Sequence, residues 1–234
     1  MKNIFIESVA SSLRIVSPLI LLAGVIFTQP ANASLSIGAD ANVVGWEGAI
    51  RGDQYQSDNS TIQYGVNFKI KFNKLYTGAD YSAGRYDFSG QDIPGDATSN
   101  PDSTVRRNEF NVVVGYYVFR HLSLFAKYKN LVFDNGEKYK LKDPGLGAQL
   151  HYTLSSHWLL FGNVARFSGD FTIDGHNDGD TNIKEYALGA AYRPALHSYI
   201  SVSYRKHRLD YQYNNAGTET HTLSGLFASY NYVF

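Results

Sequence analysis

Apolar and polar residues alternate along nearly the whole chain after Ser34. The segment 61–72 is the clearest case. One of its faces carries Ile62, Tyr64, Val66, Phe68, Ile70 and Phe72, and the other carries Gln63, Gly65, Asn67, Lys69 and Lys71. A period of two predicts β-strands, because successive side chains of a strand point to opposite sides of the sheet.

The same period predicts ten strands. They lie near 35–50, 61–72, 75–88, 105–119, 122–133, 144–154, 158–173, 183–194, 199–213 and 221–234. Short connections are expected at 73–74, 120–121, 155–157 and 195–198, and long polar ones at 51–60, 89–104, 134–143, 174–182 and 214–220. Alternating short and long connections predict an all-β, antiparallel up-and-down barrel with two distinct ends, of about ten strands, with eight as the alternative.

The polar face indicates whether the apolar face of such a barrel turns inward or outward. A soluble barrel turns its apolar face inward, whereas a transmembrane barrel turns it outward into lipid. Charges interspersed with glycines suit a narrow hydrated lumen. The residues predicted to line it are Lys69, Lys71, Asp80, Glu109, Lys127, Lys129, Glu185 and Arg193. Buried charges must be paired, so we expect this network to plug the lumen; a selectivity lining of a narrow pore is the alternative.

The aromatic residues near the short turns add to the transmembrane interpretation. They are Tyr117, Phe119, Tyr152, Trp158, Tyr199, Tyr232 and Phe234, and we expect them to form an interfacial girdle.

The first 33 residues have the layout of a cleaved secretory signal. Lys2 and Arg14 precede an apolar stretch at 15–27, and the triplet Ala31-Asn32-Ala33 provides a small-residue cleavage site. The stretch is shorter than the ~20 residues of a spanning helix. We therefore predict residues 1–33 as a cleaved signal peptide and 34–234 as the barrel domain.

The amino-acid composition excludes fewer functions than the alternation of apolar and polar residues does. The 234 residues include 21 Lys and Arg and 21 Asp and Glu, which gives no net charge and no indication of a nucleic-acid partner. Cysteine is absent, so disulfides and thiolate metal sites are excluded. No cofactor is predicted.

The last strand resembles the C-terminal signal of Gram-negative outer-membrane barrels. "HTLSGLFASYNYVF" ends on Phe234, with Tyr232 and Tyr230 at alternate positions before it. The resemblance implies an integral protein of the outer membrane, recognised by the barrel-assembly machinery through Tyr230, Tyr232 and Phe234.

Four further segments resemble the group that includes the outer-membrane protein A transmembrane domain and the opacity-type proteins. They are "FRHLSLFAKYKN", "LSSHWLLFGNVARF", "EYALGAAYRPALHSYISVSYRK" and the closing strand. That group usually has eight strands, and ten resembles the outer-membrane proteases and one class of adhesin. The resemblance implies a monomer with outer-membrane lipid and lipopolysaccharide as partners, and an extracellular ligand bound through its loops.

Two constellations could carry chemistry. His207, Asp210, Asp170 and Asp174 lie near the expected rim, where the hydrolases of this membrane place Asp/His or Ser/His groups. The segment "DGHNDGDTNIKE" spaces Asp174, Asp178, Asp180, Asn182 and Glu185 at offsets resembling a calcium loop. An ordinary acidic hairpin is the favoured interpretation of this segment, and a calcium site is the alternative.

The sequence thus predicts a non-enzymatic outer-membrane barrel with a structural, surface-interaction or envelope-stability role. A narrow channel for ions or small solutes and a surface hydrolase acting on lipopolysaccharide or peptides are the alternatives.

Overall fold

A computed structural model describes residues 33–50, 53–89, 102–214 and 217–234. Apart from Ala33, the predicted signal peptide lies outside these residues. In the described ranges, no helix is long and apolar enough to cross a membrane.

The described chain is built of strands. They are β1 (Ala33–Ile50), β2 (Asp53–Gln56), β3 (Thr61–Phe72), β4 (Leu75–Ser89), β5 (Asp102–Phe119), β6 (Leu122–Asp134), β7 (Lys138–Thr153), β8 (Trp158–Ile173), β9 (His176–Ala195), β10 (Ser198–Tyr213) and β11 (Gly217–Val233).

Ten of these strands close into a barrel. Neighbours in sequence pair in order from β3 to β11, and β1 closes the ring by pairing with both β3 and β11. The long register between β1 and β11 runs from Ser36 opposite Val233 to Ile50 opposite Glu219. The predicted fold class is confirmed with ten strands rather than eight. The short strand β2, which the sequence did not predict, adds to the end of β1.

The two ends of the barrel differ, as predicted, but less than expected. At the turn end lie the connections 73–74, 120–121, 154–157 and 196–197, together with Ala33 and Phe234. The turn at 73–74 places Asn67 opposite Asp80, which confirms the predicted register. The opposite end is called the loop end below.

Three of the long loops predicted there are wrong. The segments 134–143, 174–182 and 214–220 are largely strand, and the connection from β8 to β9 is the two-residue turn Asp174–Gly175. Positive φ angles of 46° and 90° at these two residues fit the tight hairpin turn that matches strand twist. Several of the polar residues that indicated loops, such as Lys140, Lys142 and Asp180, lie on the outer faces of long strands.

Each face of the barrel changes polarity along the strands. In the turn-end half the outer face is apolar, with exposed Val114, Leu146, Leu188 and Val202 among others. In the loop-end half it is polar and carries Arg106, Lys140, Asp180, Arg208 and Gln212. The turn-end half therefore has the exterior of a transmembrane barrel, and the loop-end half has that of a soluble one.

The lumen shows the opposite arrangement. Its loop-end half is filled by an apolar plug made of Val44, Trp46, Tyr86, Phe88, Val105, Leu131, Phe133, Leu141, Phe167, Phe171, Ile183, Leu209, Tyr211 and Leu223. The turn-end half of the lumen is lined by polar side chains. Since about 9–11 residues suffice to cross a bilayer, strands as long as the 20 residues of β9 project beyond one.

Candidate functional site

The most highly charged part of the lumen is a layer of six side chains where the polarity changes. This charged layer consists of Arg107, Glu109, Lys127, Lys129, Glu185 and His207, supplied by β5, β6, β9 and β10. Lys129 Nζ contacts a carboxylate oxygen of both Glu109 and Glu185. Arg107 contacts Glu109, and Lys127 Nζ lies 3.2 Å from Glu185 Oε2. Three basic residues thus neutralise two buried carboxylates across the barrel.

The charged layer includes a set of groups that could ligate a metal ion. Ligand atoms of Glu109, Glu185 and His207 lie within 4.8 Å of one another. Each carboxylate is already in contact with cationic side chains, and Lys129 contacts both of them. The positive charge that a metal would supply is therefore present in the protein, and the layer fits a structural ion network better than a metal centre.

The apolar plug closes the lumen on the loop-end side of this layer. Tyr86, Leu141 and Phe171 have no exposed surface. The rings of Trp46 and Phe133 lie 4.9 Å apart, and those of Phe171 and Tyr211 lie 5.3 Å apart. These separations are typical of packed aromatic pairs, so side chains occupy most of this cross-section.

At the loop end, Glu219 is buried among tyrosines. Its carboxylate accepts hydrogen bonds from Tyr55 Oη (3.1 Å) and Tyr213 Oη (2.7 Å), and His221 Nε2 lies 2.7 Å away. Burial and the Glu219 charge raise the pKa of Tyr55.

The imidazole of His221 contacts three polar side chains. Trp46 Nε1, which can only donate, lies 3.0 Å from His221 Nδ1, and Tyr55 Oη lies 2.8 Å from the same nitrogen. His221 thus joins Trp46, Tyr55 and Glu219 in one polar cluster at the loop end.

On the turn-end side of the charged layer the lumen is open. A cavity of about 300 Å³ adjoins the layer, and a second of about 740 Å³ reaches the short turns. Asp40, Asn67, Lys69, Gln149 and Arg205 line both cavities, which together are called the vestibule. The vestibule ends blindly at the charged layer and the plug.

The residues predicted to form the lumen network fall into two groups. Glu109, Lys127, Lys129 and Glu185 meet in the charged layer, whereas Lys69, Lys71 and Arg193 form no salt bridge with it. Asp80 is joined to the layer through Asn111 Nδ2, which also donates to Glu109 Oε1 (2.8 Å). Lys69 Nζ lies 4.5 Å from the ring centroid of Tyr76, and Lys71 Nζ lies 4.7 Å from that of Tyr117. Asp80 accepts a hydrogen bond from Asn111 Nδ2 (2.7 Å). Arg193 donates to the carbonyl of Leu196 at a short turn.

The calcium-loop interpretation is wrong in its geometry. Asp178, Asp180 and Asn182 lie on the outer face of β9, whereas Glu185 points into the lumen and pairs with Lys127 and Lys129. Asp174 is in the hairpin turn, and Asp178 Oδ2 accepts a hydrogen bond from the backbone of Ile173. Asp178 and Glu185 are seven residues apart on one strand, roughly 23 Å, so they cannot share an ion.

The residues considered for a hydrolase do not meet at the rim. His207 faces the lumen, with Nδ1 3.7 Å from Glu185 Oε1. Asp210 faces outward and accepts hydrogen bonds from Arg208 and Thr220. Asp170 lies on the outer face, opposite Asp180. His207 and Asp210 therefore form no dyad.

Sequence reasoning missed Arg107, His207 and the whole apolar plug as lumen residues. The signal for the plug was present in β10, where apolar residues occupy the even positions Ile200, Val202 and Tyr204 and then the odd positions Leu209 and Tyr211. A change of parity without a bulge means that the apolar side chains move from the outer to the inner face.

The closing strand supplies the last feature. Tyr230, Tyr232 and Phe234 are exposed on the apolar outer face, while the alternate residues Ser229 and Asn231 face the vestibule. An apolar belt outside and charges inside distinguish a transmembrane barrel from a soluble one. The chain has the fold of a small outer-membrane β-barrel.

Solved structures resemble this barrel, although no protein-family model and no curated protein matches the chain. The outer membrane protease OmpT from Escherichia coli has 15% identity and a TM-score of 0.47, covering 88% of this chain and 98% of that one. An outer membrane channel from Pseudomonas putida F1 has 11% identity and a TM-score of 0.43, with coverages of 88% and 96%. Ail, the attachment invasion locus protein of Yersinia pestis, has 14% identity and a TM-score of 0.38, with coverages of 86% and 99%.

Proposed function

We propose that the chain is an integral outer-membrane barrel that does not conduct and that acts through its outer surface and loop end. Its role is then structural, or lies in surface interaction or in envelope stability. The observation that carries this proposal is the apolar plug, in which residues from nine of the ten barrel strands fill the loop-end half of the lumen.

The sequence predicts that charged side chains alone close the lumen. The proposal adds the apolar plug as a second barrier. In the charged layer both carboxylates are paired with basic side chains, and the plug fills the space that hydrated ions would need for passage. Channel function requires a continuous hydrated path, and the vestibule supplies one only from the turn end. A narrow channel is therefore the weaker candidate.

The orientation of the barrel is part of the proposal. Short turns face the periplasm and the loop end faces the cell exterior, as in barrels with short periplasmic turns. In this orientation the vestibule opens to the periplasm, and the polar loop-end half projects from the membrane with the surface of a soluble protein. Export through the signal peptide and insertion by the barrel-assembly machinery complete the proposal.

A solute-uptake assay tests it. Protein reconstituted into liposomes should leave the rate of swelling in isosmotic arabinose at the level of empty liposomes, while a general porin reconstituted at equal density accelerates it. Heat-modifiable migration on gels establishes that the barrel is folded in the same vesicles. Swelling at a rate near that of the porin would overturn the proposal in favour of a channel.

A further inference from the structure

Three cations form a row across the outer face of neighbouring strands. Arg166 of β8 lies directly opposite Lys184 of β9, and Lys184 lies directly opposite Arg208 of β10. Opposed residues of antiparallel strands have Cβ atoms roughly 5 Å apart, and like charges at such positions destabilise the sheet. The row therefore has an energetic cost in the bare barrel.

Little in the described structure offsets that cost. Arg208 Nε lies 3.0 Å from Asp210 Oδ1, but Arg166 and Lys184 form no salt bridge with any described carboxylate. Lys206 of β10, which is exposed and lies opposite Tyr186, adds a fourth cation to this part of the outer face. An anion from outside the chain would neutralise the row.

An apolar groove begins where the row ends. This depression of about 890 Å³ has Arg166 and Lys184 at one end and extends over the outer faces of β4 to β9. The short side chains of Ala126 and Ala148 line it between larger neighbours such as Leu146 and Val164. The groove lies in the apolar belt and so faces the hydrocarbon of the bilayer.

We propose that the groove and the row bind one lipid of the outer leaflet, a bis-phosphorylated acylated saccharide of the lipid A class. One or more acyl chains lie in the groove, and the phosphates contact Arg166, Lys184 and Arg208. Charge complementarity favours this lipid class over a glycerophospholipid. The row spans roughly 10 Å between its first and last members, which suits a head group with separated phosphates better than the single phosphate of a glycerophospholipid. The proposal rests on the outer-membrane location and orientation proposed above.

The test uses delipidated, refolded barrel in detergent and native mass spectrometry. The probes are hexa-acylated bisphosphoryl lipid A, its monophosphoryl form and phosphatidylglycerol at equal mole fraction. We expect bisphosphoryl lipid A to bind most tightly. The double variant Arg166→Gln/Lys184→Gln should lose about tenfold or more in its apparent affinity, as the loss of charge-assisted hydrogen bonds implies.

Two further variants separate the parts of the site. Lys140→Gln removes an exposed outer-face cation away from the row and should change the affinity less than about twofold. Ala148→Phe fills the groove without changing any charge and should weaken binding of the acylated probes.

A purely structural role for the row is distinguishable. Neutralising Arg166 and Lys184 should raise the denaturation midpoint of the lipid-free barrel while weakening lipid binding. Unchanged affinity of the double variant, or phosphatidylglycerol binding as tightly as bisphosphoryl lipid A, would overturn the proposal. These affinities are measured in detergent and do not depend on whether the lumen conducts.

Discussion

At the scale of single residues, the lumen wall depends on glycines that lie opposite aromatic rings. Cross-strand pairs of this kind include Gly48–Tyr55, Gly115–Tyr76, Gly145–Phe167, Gly147–Phe125 and Gly189–Phe161. A Cβ atom built on Gly145 would overlap the ring of Phe167. The rings lie against the bare backbone, which lets large side chains fit inside a narrow barrel.

We therefore expect Gly145→Ala to destabilise the barrel by about 1–3 kcal/mol, the usual cost of overpacking. The matched control is Gly162→Ala, since a Cβ at Gly162 would come no closer than 3.4 Å to any neighbour. Urea unfolding in detergent micelles, followed by tryptophan fluorescence, measures both. Equal stabilities of the two variants would show that the ring of Phe167 moves aside without cost.

The sequence predicts the side of the sheet on which a residue lies better than it predicts the residue's partner. Alternation indicated correctly that Glu109, Lys129 and Glu185 face inward. Tyr117 and Tyr199, predicted as members of the interfacial girdle, instead line the vestibule. Partners depend on stagger between strands that are distant in sequence, and local alternation carries no information on that stagger.

At the scale of elements, the charged layer connects strands that are not neighbours. Glu109 of β5 and Glu185 of β9 are joined by Lys129 of β6, so the layer crosses the lumen rather than following the wall. Removing one member leaves buried charges without compensation, which costs more than removing a pair.

Glu109→Gln should accordingly destabilise the barrel by about 3 kcal/mol or more. Adding Lys129→Met to Glu109→Gln should recover part of that loss, because the uncompensated ammonium is removed with its partner. Asp40→Asn serves as the control, since the Asp40 carboxylate accepts hydrogen bonds from Asn67 Nδ2 (3.0 Å) rather than from a cation. Strictly additive effects of the two substitutions would argue against the network.

The closing strand gives a second prediction for an element. The backbone of Phe234 donates a hydrogen bond to the carbonyl of Leu35 (2.8 Å), and its ring lies 4.9 Å from that of Tyr232. Deleting Phe234 should lower the amount of folded barrel in the membrane several-fold, because both the closure with β1 and the proposed assembly signal are weakened.

Glu137→Ala, in the exposed turn between β6 and β7, is the reference for this deletion. Gel migration of unheated membrane samples reports the folded amount. If deleting Phe234 left the folded amount unchanged, Phe234 would not be part of the assembly signal.

Element type was predictable from sequence, but element length was not. The segment 176–182 is polar and glycine-containing, which indicated a loop, yet it continues β9. Above the membrane the outer face of a strand meets water, so its polar residues resemble those of a loop. The buried inward positions of this segment are Gly179 and Thr181, neither of which is apolar, so no alternation extended the predicted strand before Ile183.

At the scale of the whole molecule, the chain joins two kinds of barrel end to end. The turn-end half is apolar outside and polar inside, and the loop-end half is polar outside and apolar inside. The same continuous strands form both halves, so the two halves are not separate bodies that could move apart and open the lumen. Closure follows from the parity change in strands such as β8, where Leu160 and Val164 face outward and Phe167 and Phe171 face inward.

Single-channel recording in planar bilayers tests the claim that the lumen is closed most directly. The unmodified barrel should give no steady conductance steps. The triple variant Phe167→Ala/Phe171→Ala/Tyr211→Ala should give small conductance steps, because it removes side chains that form the plug. Its heat-modifiable migration on gels confirms that it is folded. Large, steady conductance of the unmodified barrel, with its ion preference reversed when Lys69 and Lys71 are replaced by glutamate, would contradict the account and establish a channel.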